Sequence, residues 1–177
     1  MSIIITILVV IGSLIALLLI IALLTKKEFS IEREITINRT KADVFNYTRM
    51  LKNQEKYSVW IMKDPNVQIV YTGTDGTVGA TSAWKSDDKH VGIGEQEIKK
   101  VHEEESIETE IRFKKPFEDT NYALTSVKDA GNGQTIINTR FYGTNKFPKN
   151  LMNLLMDKML GKDMRQNLEN IKNNLEK

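Results

Sequence analysis

Ser106 to Phe113 reads SIETEIRF, a strict two-residue alternation in which Ile107, Thr109, Ile111 and Phe113 share one side and Glu108, Glu110 and Arg112 the other. Side chains of a strand point to opposite faces in turn, so this stretch predicts a half-buried strand with its apolar row toward a core. Turn-like segments flank it, HEEE (102–105) before and KKPFED (114–119) after. Upstream, VQIVYTG, VGATSAWK and HVGIGEQEIKKV are separated by TDG and SDD; downstream, NYALTSV and QTIINTRFYG are separated by KDAGNG. Hairpin-length spacers rich in Gly and Asp between short apolar runs predict an antiparallel meander. Phe29 to Asn38, FSIEREITIN, alternates in the same way except at Arg33 and makes a seventh strand.

Helical patterns lie on either side of the meander. Thr40 with Asp43 three residues later forms an N-terminal capping signal, so a helix starts near Lys41, and a second short turn covers Asn53 to Tyr57 before Pro65. After Pro148 the apolar positions follow a helical period. Leu151, Met152, Leu155, Met156 and Met159 form one stripe, and Met164, Leu168, Ile171 and Leu175 another, rotated to a different face. One straight helix buries both stripes poorly. Gly161 between them and Asp163 with Gln166 beyond predict a break at Gly161 to Lys162.

From Ile3 to Leu24 no residue is charged. At about 1.5 Å per residue the run reaches roughly 33 Å, enough for a hydrocarbon core of about 30 Å. Only Met1 and Ser2 precede it, and LLTKKEF contains no small-residue cleavage site, so the run is expected to be a transmembrane anchor rather than a cleaved signal. Residues 1–25 then form the anchor and 26–177 one soluble domain. Lys26 and Lys27 follow the run directly, which places the domain on the cytoplasmic side of a single-pass membrane protein. The whole chain has 25 Lys plus Arg against 23 Asp plus Glu, with no basic stripe for nucleic acid. There is no cysteine, which excludes disulfides, thiolate catalysis and Cys-ligated zinc.

Seven strands with one apolar face must cover that face, and the terminal helices are the amphipathic elements available to do it. The expected class is therefore α+β, a curved seven-stranded antiparallel sheet wrapped around a C-terminal helix, with a hollow between the two unless large side chains fill it. The succession VW (59–60), KDP (63–65), GTVGATSAWKS (76–86), VGIGEQEI (91–98), RFKKPFEDT (112–120), GNGQT (131–135) and the closing LLMDKMLGKDMRQNLENIKNNLEK (154–177) resembles the START-like, polyketide-cyclase-type superfamily abbreviated SRPBCC, which has the helix-grip fold. The resemblance covers Ser30 to Glu176 and rests on the joint order of individually weak motifs. It implies a deep apolar cavity for lipids, sterols, polyketides or other hydrophobic molecules. By the same resemblance Trp84 and Gln96, and Ile137, Thr139 and Phe141 on the last strand, face the cavity, with Trp60 near its mouth; Ile111 and Phe113 join this lining from the strand quoted first. The N-terminal membrane helix departs from soluble members and argues against a freely diffusing carrier.

Met152, Met156 and Met159 suit a repacking pocket wall, since methionine is flexible and polarizable, and they suit an irregular core equally. Trp60 and Trp84 divide the same way between pocket and core. Gln96, if directed inward, needs a partner: a ligand group, a water or Thr139. His90 and His102 stand at the two ends of one strand and cannot share a metal. No metal site, cofactor site or catalytic constellation is expected. The expected activity is binding of a hydrophobic small molecule or lipid beside a membrane, without catalysis. The rivals are a cyclase- or dehydratase-like enzyme, for which Arg33 is the best inward ionisable candidate and a poor base, and a filled interaction module for a membrane protein partner whose identity is open.

Overall fold

The computed structural model describes residues 2–177. The elements in chain order are α1 (Ile3–Leu24), β1 (Glu28–Ile37), α2 (Lys41–Arg49), a 3-10 turn (Leu51–Asn53), α3 (Gln54–Tyr57), α4 (Val59–Met62), β2 (Gln68–Thr72), β3 (Thr81–Lys85), β4 (Ile93–His102), β5 (Ser106–Lys115), β6 (Asp119–Gly131), β7 (Gln134–Thr144), a second 3-10 turn (Lys149–Met152) and α5 (Asn153–Leu175). All seven strands form one antiparallel sheet in the order β1-β7-β6-β5-β4-β3-β2. Thr40 caps α2 as its sequence foretells, its hydroxyl accepting from the Asp43 amide at 3.2 Å.

Strand register gives the domain two ends. Glu28 faces Thr144, Phe113 faces Asp119 and Lys85 faces Ile93, so the start of β1 and the loops 86–92, 116–118 and 145–152 share the end next to α1. His102 faces Ser106, Gly131 faces Gln134 and Thr72 faces Thr81, which puts the remaining hairpin turns at the far end. α5 runs from the α1 end to the far end, where Lys172 Nζ donates to the Thr36 carbonyl at 2.8 Å. The solid core lies toward the far end. Ile37, Val44, Phe45, Ile98, Ile107, Ile137, Leu168 and Ile171 pack together there with almost no exposure, and each such side chain stabilises the fold by about 1.5–3 kcal/mol.

The break expected at Gly161 is absent, and α5 continues unbroken from Asn153 to Leu175. One stripe alone, Gly161, Met164, Leu168 and Ile171, is buried against the sheet. Gly161 is small because Arg33 crosses beneath it; a Cβ at this position would collide with the guanidinium. Arg33 in turn donates to Asp157 Oδ1 at 2.7 Å and to its neighbour Glu32's carbonyl at 2.7 Å. The other stripe is not packed against the sheet: Leu151 and Met156 are half-buried and the rest exposed. Met152, Leu155 and Met159 are 45%, 50% and 52% exposed, so the helix never has to serve two apolar faces.

Candidate functional site: a cavity under the sheet

Between the inner face of the sheet, α2 to α4 and α5 lies a cavity of about 340 Å³. Strands β5, β6 and β7 each contribute a threonine to its wall, Thr109, Thr125 and Thr139, among apolar neighbours such as Ile111, Ala123 and Phe141. α5 closes the opposite side with Leu160, Met164, Leu168 and Ile171, and Trp60 and Ile61 come from α4. At the α1 end Trp84, Phe113, His90 and Val91 complete it.

Local structure fixes these side chains. Trp84 stands edge-on to Phe113 with ring centroids 5.9 Å apart, and its indole N–H donates to the Val91 carbonyl at 3.2 Å. Its ring lies across Gly94, the cross-strand partner of both aromatics, where any Cβ would strike the indole. Three asparagines of α5 hold the short helices in place. Asn167 Oδ1 accepts from the Val59 amide at 2.8 Å, while Asn170 and Asn174 donate to the carbonyls of Tyr57 and Lys56, each at 3.0 Å. Spacings of three and four residues put all three on one side of the helix.

The polar groups of the wall are mostly engaged. Gln54 and Gln96 pair their amides reciprocally, at 3.1 and 2.5 Å. The partner of Gln96 is thus Gln54, not Thr139. Burial pushes the Tyr57 hydroxyl well above its ordinary range, so it stays protonated. Arg49 binds the Gly76 carbonyl through two nitrogens and Glu103 through a third. The lining contains no Asp, Glu or Lys.

Of the residues singled out from sequence, Trp60, Trp84, Gln96, Ile111, Phe113, Thr139 and Phe141 border the cavity. Ile137 does not: two residues nearer the far end than Thr139, it is wholly buried in the solid core. Met152, Met156 and Met159 do not either, because at 100° per residue Met152 and Met159 fall on the side of α5 turned away from the sheet. The methionine in the wall is Met164. Sequence reasoning also missed Tyr57, Thr125, Asn167 and His90. The asparagine spacing in QNLENIKNN was the available signal for the helix side that grips α3 and α4.

A comparison with protein families matches residues 28–176 to the family described as "Polyketide cyclase / dehydrase and lipid transport". The chain belongs to this family. The polyketide cyclase family match spans all seven strands and α5, and it leaves only α1 and its junction outside. Among solved structures, norcoclaurine synthase from Thalictrum flavum, in complex with dopamine and hydroxybenzaldehyde, is similar with a TM-score of 0.63 at 10% identity, over 88% of this chain and 91% of that one. Ara h 8.0201 is similar with a TM-score of 0.54 at 16% identity, over 84% and 97%. A protein from Nitrosospira multiformis is similar with a TM-score of 0.60 at 12% identity, over 82% and 95%. At such identities these likenesses show the helix-grip fold alone. No curated protein matches the chain. Family membership and fold together support binding of hydrophobic ligands in general terms.

Proposed function

We propose that this polyketide cyclase family member is a membrane-anchored binding domain, carrying a hydrophobic small molecule or lipid in its cavity on the cytoplasmic side of a single-pass helix. The observation that carries the reading is the cavity wall: mostly apolar and aromatic, with threonines, the Tyr57 phenol and His90 among the polar groups, Gln54 paired with Gln96 and Arg49 engaged by Gly76 and Glu103, and no carboxylate or lysine. Pockets for small molecules have this make-up, mostly apolar with a few placed polar groups. About 340 Å³ is near the small end of the usual range of roughly 300–1,000 Å³, which suits one acyl chain or a fused-ring molecule better than a two-chain lipid.

The anchor is supported by α1 itself. Its window of highest hydropathy is only 6% buried, so α1 is not a core helix of the domain, and a fully apolar helix standing free in water would be an aggregation hazard. The lysine pair after it favours a cytoplasmic domain. The enzymatic alternative would have to work through Tyr57 or His90, since Arg49 is engaged and Arg33 is taken up by Asp157.

Native mass spectrometry of the full chain, released gently from membranes and followed by organic extraction, tests the reading. The expected spectrum carries a stoichiometric apolar adduct. An apo mass that stays unchanged after incubation with fatty acids and fused-ring aromatics would count against ligand binding.

A further inference from the structure

The second 3-10 turn and the first turns of α5 expose an apolar strip on the side away from the sheet: Met152, Leu155 and Met159, with Leu154 62% exposed beside them. No element of the domain covers it. The same segment grips the end of α1. Asn150, itself buried, donates through Nδ2 to the carbonyls of Ala22 and Thr25 at 2.6 and 2.8 Å. Asn153 donates to the carbonyls of Lys26 and Lys27, both at 2.9 Å, and the Asn145 amide donates to Lys27 at 2.8 Å. Met152 therefore sits between two residues that clasp the chain where α1 ends. The strip starts at the anchor's exit point, held there by hydrogen bonds rather than by a slack tether.

Charge agrees with this placement. Lys146, Lys149, Lys158 and Lys162 border the strip, and between residues 145 and 162 the sole acidic residue is Asp157, which Arg33 neutralises. Lys26 and Lys27 adjoin the clasp, and Lys114 and Lys115 stand at the same end beside Phe117, which is 76% exposed. The loops at that end also hold Asp87, Asp88, Glu118 and Asp119, so the basic excess is confined to the strip and the clasp, while the far end has Glu103, Glu104 and Glu105 in one turn and Asp129 near another. Basic residues around apolar side chains are what an anionic lipid surface attracts.

We infer that the N-terminal third of α5 lies on the anionic leaflet at the exit of α1, with Met152, Leu155 and Met159 below the headgroups and the surrounding lysines on the phosphates. Leu160, next to Met159, lines the cavity. The cavity end bounded by Leu160, His90 and Val91 then faces lipid, and an apolar ligand passes between bilayer and cavity without crossing water. This inference rests on the anchored reading of α1.

The absence of cysteine permits single spin labels on the full chain, at L155C, M159C, I15C and K128C, in vesicles of phosphatidylcholine with phosphatidylglycerol and of phosphatidylcholine alone. With phosphatidylglycerol present, labels at 155 and 159 are expected to lose collisions with an aqueous nickel complex and to gain collisions with oxygen, while the label at 128 stays in water. In phosphatidylcholine alone the protection at 155 and 159 should fall. If these two labels are as water-exposed as that at 128 while the label at 15 is in lipid, this inference fails and the anchor stands. A water-exposed label at 15 removes the anchor and the inference together. Loss of both oxygen and nickel collisions would overturn it in favour of a protein partner on the strip.

Discussion

The two ends of the clasp are made from the same strands and the same helix, yet one is solid and the other hollow. At the far end Phe45, Ile37, Ile98 and Ile137 form a buried cluster with Leu168 and Ile171, which also close the near side of the cavity. At the α1 end Thr139, Ala123, Phe113 and Phe141 face Leu160 and Met164 across an open cavity. The difference comes from what lies beneath the sheet. At the far end α2 inserts the fully buried Val44 and Phe45 between sheet and α5. Toward the α1 end α3 and α4 are single turns pinned by Asn167, Asn170 and Asn174, and they wall the space without filling it. One end supplies the stability with which the other can stay empty.

Substitutions should therefore behave differently at the two ends. Phe45→Ala should have the largest effect, a loss of about 3–5 kcal/mol in urea unfolding of the full chain in nanodiscs, because it opens a void in the solid end. Adding volume makes a sharper contrast. Ala80→Leu, in the packed core, should cost about 1–3 kcal/mol, whereas Ala123→Leu, on the cavity wall, should cost less than about 0.5 kcal/mol and reduce ligand uptake. Equal costs for the two would mean that the cavity collapses in solution.

The smallest effect concerns pH. Burial raises the Tyr57 hydroxyl from its ordinary value of 10.0, so the folded state holds that proton more tightly than the unfolded chain does. The resulting stability is complete below pH 10 and is lost as pH climbs toward the raised value. Tyr57→Phe should flatten part of that decline, leaving a residue from Tyr71, which burial and its hydrogen bond to Glu55 also raise. An unchanged decline in the variant would show that water reaches Tyr57.

Much of this architecture was legible because strand burial follows parity. Ile107, Thr109, Ile111 and Phe113 could be assigned to the inner face without knowing what they met, and all four border the cavity. Parity does not say where along the sheet the filling stops. Ile137 and Thr139 share a face, and only the position of Phe45 makes one core and the other wall. For α5 the apolar period identified two stripes but not which of them meets the sheet. That choice depends on Arg33, which reaches from β1 to Asp157 beneath Gly161, a contact between residues 124 apart in sequence. The asparagines escaped notice for a similar reason, since their partners are backbone groups without a sequence signature.

The central claim is that the hollow end holds an apolar ligand, and the two tryptophans offer the most direct test. Trp60 and Trp84 are the chain's only tryptophans, both border the cavity, and neither lies in α1. The measurement is tryptophan fluorescence of the full chain in nanodiscs during titration with a brominated fatty acid, in parallel with Ala123→Phe. The account predicts saturable quenching that the variant largely loses while remaining folded. Quenching that rises linearly with the amount partitioned into lipid, and is the same in the variant, would contradict it.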